Sequence, residues 1–157
     1  MSPFPAPTVE LFERMVDVPG VRLISLQKQE GASGGPALAA QAGPTLQAEA
    51  ESSFALRASV VELGEFDTVH GAFMDTAAVM MNLDLVITSD TSVAHLAGAL
   101  GVSVWVALPY VPDWRWLLER EDSPWYPTMR LFRQKKAGDW EGVFERIREA
   151  LRGRLER

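Results

Sequence analysis

LDLVITSDTSVAHLAGALGVSVWVAL, residues 83–108, decides the fold class. It opens with an apolar, β-branched run, residues 84–88, that is too short for a helix and reads as a buried strand. Within two or three residues the chain enters a helix, residues 92–100. There Val93, Leu96, Ala97 and Leu100 recur at helical spacing and are expected to face a sheet. Gly101 takes the C′ position that closes such a helix. Residues 103–108 are a second apolar strand. Two continuously apolar strands joined through a helix predict a parallel sheet covered on both faces.

The same alternation extends outward. Upstream, Asp75 reads as the N-cap of a helix running to about Asn82, with Met74 and Val79 placed as a hydrophobic staple. Before it stands a strand at residues 59–63, ended by Gly64. Near the N-terminus, Thr8 caps a helix with the stripe Leu11, Phe12, Met15 and Val16, which Pro19-Gly20 stops. A strand at residues 21–26 follows. Residues 31–53 are rich in Ala, Gly, Gln and Pro and read as a loop or insertion. Downstream lies a loop rich in tryptophan and proline, residues 109–128, then a short strand at 129–132. Asp139 caps the final helix, whose stripe is Trp140, Val143, Phe144, Ile147 and Leu151. The expected architecture is one α/β domain over residues 1–157, with a Rossmann-like, doubly wound, mostly parallel sheet.

Composition narrows the function. An apolar share of 47% and a charged share of 23% over 157 residues suit one globular domain with a normal core. A formal charge of −6 argues against non-specific binding to nucleic acid or an anionic membrane. The absence of cysteine excludes disulfides, thiolate catalysis and cysteine-bound zinc. The two histidines, His70 and His95, share no helical turn, so no zinc site is expected and no cofactor is called for. Residues 1–7 lack the basic and apolar regions of a signal peptide, and no apolar run approaches the ~20 residues that span a bilayer. A cytoplasmic protein without a transmembrane segment is the default expectation.

Open α/β sheets bind ligands beyond the carboxyl ends of their strands. The candidates there are Gln27 and Lys28, Gly64 and Glu65, Ser89 to Ser92, and Pro109 to Asp113. Ser89-Asp90-Thr91-Ser92-Val93-Ala94-His95 stands out, because the free N–H groups and dipole of a helix start favour an anion such as a diphosphate. Thr91 and Ser92 add hydroxyls. Asp90 would repel a phosphate and fits a cap or a sugar hydroxyl better. Plain capping by all three stays open. The face expected to lie opposite the sheet carries Ala94, His95, Gly98 and Ala99, with no charge, so a ligand or another domain is expected to pack there. His95 on that face reads equally as a structural residue or a ligand contact. Asp75 and Thr76, at the preceding helix start, are candidates whose bland reading is a plain cap. Trp114, Trp116 and Trp125 are expected to bury their loop, with Asp113 and Arg115 as polar contacts.

The string LDLVITSDTSVAHLAGALG, followed by LPYVPDWRWLLEREDSPWYPTMRLFRQ, resembles the C-terminal region of bacterial tetratricopeptide-repeat proteins. Those proteins carry a glycosyltransferase domain of the heptosyltransferase-like, family 9 type. Residues 25–28, 73–78 and 138–140 fit the same pattern, and the likeness runs from about Thr8 to Leu151. The resemblance implies the nucleotide-sugar-binding half of a GT-B fold and inverting, metal-independent sugar transfer. It assigns Asp90, Thr91, Ser92 and His95 to the segment that opens a helix toward the diphosphate, with Val93 and Ala94 beside them. Ser92 stands where many relatives have glycine. The resemblance also implies that the acceptor domain with its catalytic base, and the first strand of the sheet, lie outside these residues. A partner chain, a linked acceptor domain or self-association is then expected, and the isolated chain is expected to be inactive. The alternative is a non-catalytic nucleotide-binding module, a truncated remnant or a subunit.

Overall fold

The computed structural model describes residues 6–27, 60–63 and 65–156. Lys28 and the loop expected at residues 31–53 lie outside them. The described residues form an α/β structure whose strands pair in parallel, with one isolated antiparallel bridge between Asp122 and Arg130. Helix α1 (Val9–Glu13) passes into a 3-10 turn (Arg14–Asp17), and strand β1 (Leu23–Ser25) follows. Then come β2 (Val60–Glu62), α2 (Met74–Met80), β3 (Val86–Ser89), α3 (Ser92–Ala99) and β4 (Val104–Leu108). A 3-10 turn (Trp114–Trp116), β5 (Met129–Arg133) and α4 (Trp140–Leu155) complete the order.

β4 is the centre of a three-stranded sheet in the order β3-β4-β5, and every one of its residues is buried. Its side chains alternate between two apolar layers, as strand geometry requires. Trp105 and Ala107 meet Leu11, Met15 and Val18 near α1, and Val143, Phe144, Ile147 and Leu151 of α4. Val104, Val106 and Leu108 meet Met80 of α2, Ala94 and Ala97 of α3, and Trp116. Fully burying one such aliphatic side chain contributes about 1.5–3 kcal/mol. The α4 stripe expected from sequence is the buried one, and Asp139 caps that helix by accepting from the Gly142 amide at 2.9 Å. At its far end Arg154 donates to Ser103 Oγ at 3.0 Å and to the Asp84 carbonyl at 2.9 Å, tying α4 to the amino ends of β3 and β4.

α3 ends as its sequence predicts. Gly101 has φ +70°, its amide donates to the Gly98 carbonyl at 3.1 Å, and the Val102 amide donates to Ala97 at 3.0 Å. That pair of bonds is the Schellman closure, and the left-handed position favours glycine. The start of α2 differs from expectation. Its N-cap residue is Phe73, with φ 68° and no side-chain cap. Asp67 does the capping from a distance: its carboxylate accepts from the amides of Asp75 at 2.7 Å and Thr76 at 3.1 Å, and its own amide donates to Asp75 Oδ2 at 2.6 Å. Met74, expected to staple against Val79, is 58% exposed. A local cap motif cannot reveal a carboxylate eight residues upstream that the chain folds back.

β1 and β2 form a separate two-stranded sheet. β1 is only half-buried, although Leu23 packs against the α1–α4 layer and Leu26 against the other. No ladder joins β1 to β3. Among the described residues no helix is long and apolar enough to cross a membrane.

Asp67→Ala is expected to destabilise the fold by about 1–2 kcal/mol, because two helix-start amides and the Thr76 hydroxyl lose their acceptor together. Urea denaturation of the two proteins measures it; a change below about 0.5 kcal/mol would show that water replaces the carboxylate at no cost.

Candidate functional site

The carboxyl ends of β3 and β4 converge on the start of α3. β3 ends at Ser89, and two residues later Thr91 takes extended backbone (φ −139°, ψ 171°) as the N-cap of α3. The Thr91 side chain does not cap this helix start, and no other side chain among the described residues does. The Thr91 hydroxyl instead lies 3.3 Å from that of Thr88. Capping by Asp90, Thr91 and Ser92 is therefore not the arrangement present. In the first turn the Ala94 amide donates to the Thr91 carbonyl at 3.1 Å, and the preceding amides, with the positive end of the dipole, are left for the space beyond the sheet. Asp90 is half-buried, and Thr91 and Ser92 are exposed.

The tryptophan loop closes over α3. Trp116 is fully buried and stacks on His95, with ring centroids 5.0 Å apart and planes inclined by 22°. His95 Nδ1 lies 3.2 Å from the Tyr126 hydroxyl. The Tyr126 ring lies flat against Gly98, where an added Cβ would meet its Cγ at 2.5 Å. The face of α3 expected to await a ligand or a second domain is thus covered by the chain's own loop. The buried residues of α3 are Ala94, Ala97 and Gly98, while Leu100 is 37% exposed. The helix turns its small residues inward because β4 and the loop approach closely, and only small side chains fit between them. Trp114 and Trp125 correct a second expectation. They are 74% and 57% exposed, so one of the three loop tryptophans buries the loop. Trp125 hydrogen-bonds through Nε1 to the Arg115 carbonyl at 2.9 Å.

Asp113 caps the 3-10 turn, accepting from the Arg115 amide at 3.0 Å and pairing with Arg115 Nε at 2.9 Å. The Arg115 amide, and then its guanidinium, hold the Asp113 carboxyl below its ordinary range, with burial working in the opposite direction. The remaining candidates are distributed along the same edge. Gln27 is exposed just after β1, its amide donating to Ser25 Oγ at 3.3 Å. Asp75 and Thr76 begin α2, which packs beside α3, but the Thr76 hydroxyl is buried and donates to Asp67. Among the described residues no group of three His, Asp or Glu side chains is placed to hold a metal ion.

Sequence reading missed a groove of about 500 Å³ at the ends of β4 and β5, lined by Tyr110, Arg120, Arg133, Gln134, Lys135 and Arg146 among others. Gln134 is buried, and its Oε1 accepts from the amides of Tyr110 and Gly138, each at 3.1 Å. Arg133 donates through Nη2 to the Trp116 carbonyl at 3.2 Å, and burial pushes its pKa down. Gln134 Nε2 and Arg133 Nη1 are buried without a hydrogen-bond partner among the described residues. In the sequence, Tyr110 stood only within the candidates Pro109 to Asp113, and the run RQKK at residues 133–136 on its own reads as a solvated end of a strand.

No family model matches the chain. It is 29% identical over 153 residues to the protein FlbA of Caulobacter vibrioides, an alignment that covers 96% of this chain and 22% of that protein. The chain therefore spans about a fifth of the length of that curated relative. No solved structure matches.

Two outcomes test this geometry. Gly98→Ala drives a Cβ into the Tyr126 ring and should destabilise by about 1–3 kcal/mol, read by thermal or urea unfolding. A variant as stable as the wild type would mean that the loop lifts freely from α3. Asp113 should titrate below the ~3.9 of an ordinary aspartate in a carboxyl NMR titration. Because its folded-state pKa is lowered, its cap is fully present above that ordinary value and is lost as pH falls through the lowered one. Asp113→Asn should remove this part of the acid dependence.

Proposed function

We propose that this chain binds a nucleotide diphosphate sugar and is the donor-binding half of a glycosyltransferase of the heptosyltransferase-like, GT-B type, with a Rossmann-like sheet. The observation that carries the reading is the uncapped start of α3 at the carboxyl end of β3. Amide donors there suit a diphosphate, with Thr91 and Ser92 supplying hydroxyls and Asp90 a sugar hydroxyl contact. His95, oriented by Trp116 and Tyr126, stands one turn into the same helix. The resemblance in residues 83–134 supports the same placement.

In the reaction this implies, the sugar leaves its diphosphate while an acceptor hydroxyl attacks the anomeric carbon from the opposite side. Charge then grows on the departing diphosphate, and fixed amide donors and a helix dipole stabilise it without a metal. The acceptor must lose a proton to a general base. Asp67 and Asp113 are already engaged as acceptors of backbone N–H groups, which suits them poorly to that role. The base is assigned to the acceptor domain, outside these residues, and sugar transfer by this chain alone is not expected. The engagement of both carboxylates also favours the second reading, a module that binds a nucleotide and catalyses nothing.

Titrating UDP, ADP and GDP into the chain should move the amide resonances of Thr91 to Ala94 first, with affinity falling as salt is added. Shifts confined to the amino ends of β3, β4 and β5 would remove the basis for the proposal. His95→Ala should weaken the nucleotide-sugar response at least about tenfold, and losing its stacking on Trp116 should cost about 0.5–1.5 kcal/mol of stability. Tyr126→Phe keeps the ring on Gly98 and separates the hydrogen bond from the packing. If His95→Ala binds normally and only melts earlier, the histidine is structural.

A further inference from the structure

The groove at the ends of β4 and β5 inverts the charge of the chain around it. The chain has a formal charge of −6, yet the groove is lined by Arg120, Arg133, Lys135 and Arg146 against Glu119 and Glu121. Two of these six are matched by residues at the surface. Arg120 forks onto Asp122 through two bonds of 2.7 Å, and Glu121 pairs with Arg130 at 3.1 Å. Arg133, Lys135 and Arg146 then have Glu119 as the remaining lining carboxylate. A concave surface with an excess of one charge concentrates ions of the other.

The lining also holds donors that the described residues leave unanswered. Gln134 is 2% exposed. Its Oε1 accepts from the Tyr110 and Gly138 amides, which fixes the orientation of the side-chain amide and makes Nε2 the donor. Among the described residues Nε2 is buried without a partner, and so is Nη1 of the adjacent Arg133. Nη2 of Arg133 is tied to the Trp116 carbonyl at 3.2 Å, so the guanidinium is held in place and does not swing into water. Burial lowers the Arg133 pKa, the direction expected of a desolvated cation. Arg146 donates to the carbonyls of Arg133 and Gly142, which fastens α4 to the end of β5 and adds a second half-buried positive charge. Buried donors of this kind find an oxygen in a native fold, from the protein, from water or from a ligand.

We propose that this groove binds a small organic carboxylate, whose oxygens accept from Arg133 Nη1 and Gln134 Nε2 and whose apolar body lies against Tyr110 and Leu118. Two planar nitrogen donors, one of them charged, match the two oxygens of a carboxylate. A phosphate needs more donors than these, and the backbone amides here are taken. Gln134 holds those of Tyr110 and Gly138, and Asp139 caps the start of α4 with a carboxylate that would repel a dianion. Tyr110 and Leu118 are 49% and 70% exposed, so the groove offers apolar surface beside its donors. Its volume of about 500 Å³ falls among those of small-molecule sites, roughly 300–1,000 Å³. The inference does not depend on a ligand at α3, where the donors are backbone amides.

Titrating benzoate, benzamide and inorganic phosphate into the isotope-labelled full chain at pH ~7, followed by NMR, tests it. Benzoate should shift the Gln134 side-chain amide and the backbone amides of Tyr110 and Gly138, saturating below about 10 mM. Benzamide has the same shape without the charge and should bind at least about tenfold more weakly. Phosphate should also bind more weakly than benzoate. Gln134→Glu keeps an acceptor for both backbone amides, replaces the donor with an oxygen and should abolish the benzoate response. If that variant does not fold, Arg133→Lys keeps the charge, loses the fork and should weaken benzoate at least about fivefold. Undiminished benzoate binding by either folded variant would overturn the proposal. Equal responses to benzoate and benzamide would overturn it in favour of a merely apolar groove, and tighter binding of phosphate in favour of a phosphate site. Shifts spread over exposed basic residues outside the groove, such as Lys136 and Arg152, or no saturable shift at all, would also overturn it.

Discussion

Val104–Leu108 is apolar throughout, buried on both faces and paired on both edges, and the positions of the other elements follow from that. A strand in this situation has no polar side to give to water. Each of its faces must be covered, and each cover must come from elsewhere in the chain. α1 and α4 cover Trp105 and Ala107; α2, α3 and Trp116 cover Val104, Val106 and Leu108. The register of β3 and β5 on β4 then sets where their carboxyl ends fall. The start of α3, the tryptophan loop and the groove beside β5 are brought to one edge of the sheet because these strands are parallel.

Close approach at α3 links that core to the candidate site. A helix bearing Ala94, Ala97 and Gly98 on its buried side admits β4 on one flank and the Tyr126 ring on another. The loop seated there also fixes His95, through Trp116 and the Tyr126 hydroxyl. Packing and ligand geometry thus share the same residues. A substitution that loosens the loop also changes the orientation of the histidine, without touching any ligand.

Acidic side chains act mainly at turns. Asp67, Asp113 and Asp139 each accept from backbone amides at the start of a helical segment. Among the described residues the start of α3 has no such side chain, which distinguishes it electrostatically from the others. Beside β5 the surplus is the reverse: among the described residues Arg133 Nη1 and Gln134 Nε2 are donors without acceptors in buried positions. Water or a ligand oxygen in the groove would satisfy them.

Much of the secondary structure was determined by the sequence itself. Residues 84–88 and 103–108 are too apolar and too short for anything but buried strands, Asp139 has its acceptor amide three residues away, and Gly101 alone suits the left-handed closure of α3. These are local choices, governed by periodicity, by the reach of one side chain and by backbone sterics. The start of α3 was legible for the same reason. Tertiary structure decided the rest. Which face of α3 is buried depends on how near β4 and Tyr126 come, and hydrophobic periodicity weights Leu100 over Gly98 although the packing does the opposite. Asp67 caps α2 only because the chain doubles back over eight residues. The groove at Arg133 and Gln134 draws on loops and a helix far apart in the chain. That β1 and β3 stand in separate sheets is likewise a tertiary property, because pairing is defined by a strand's neighbour and no pattern within the strand records it.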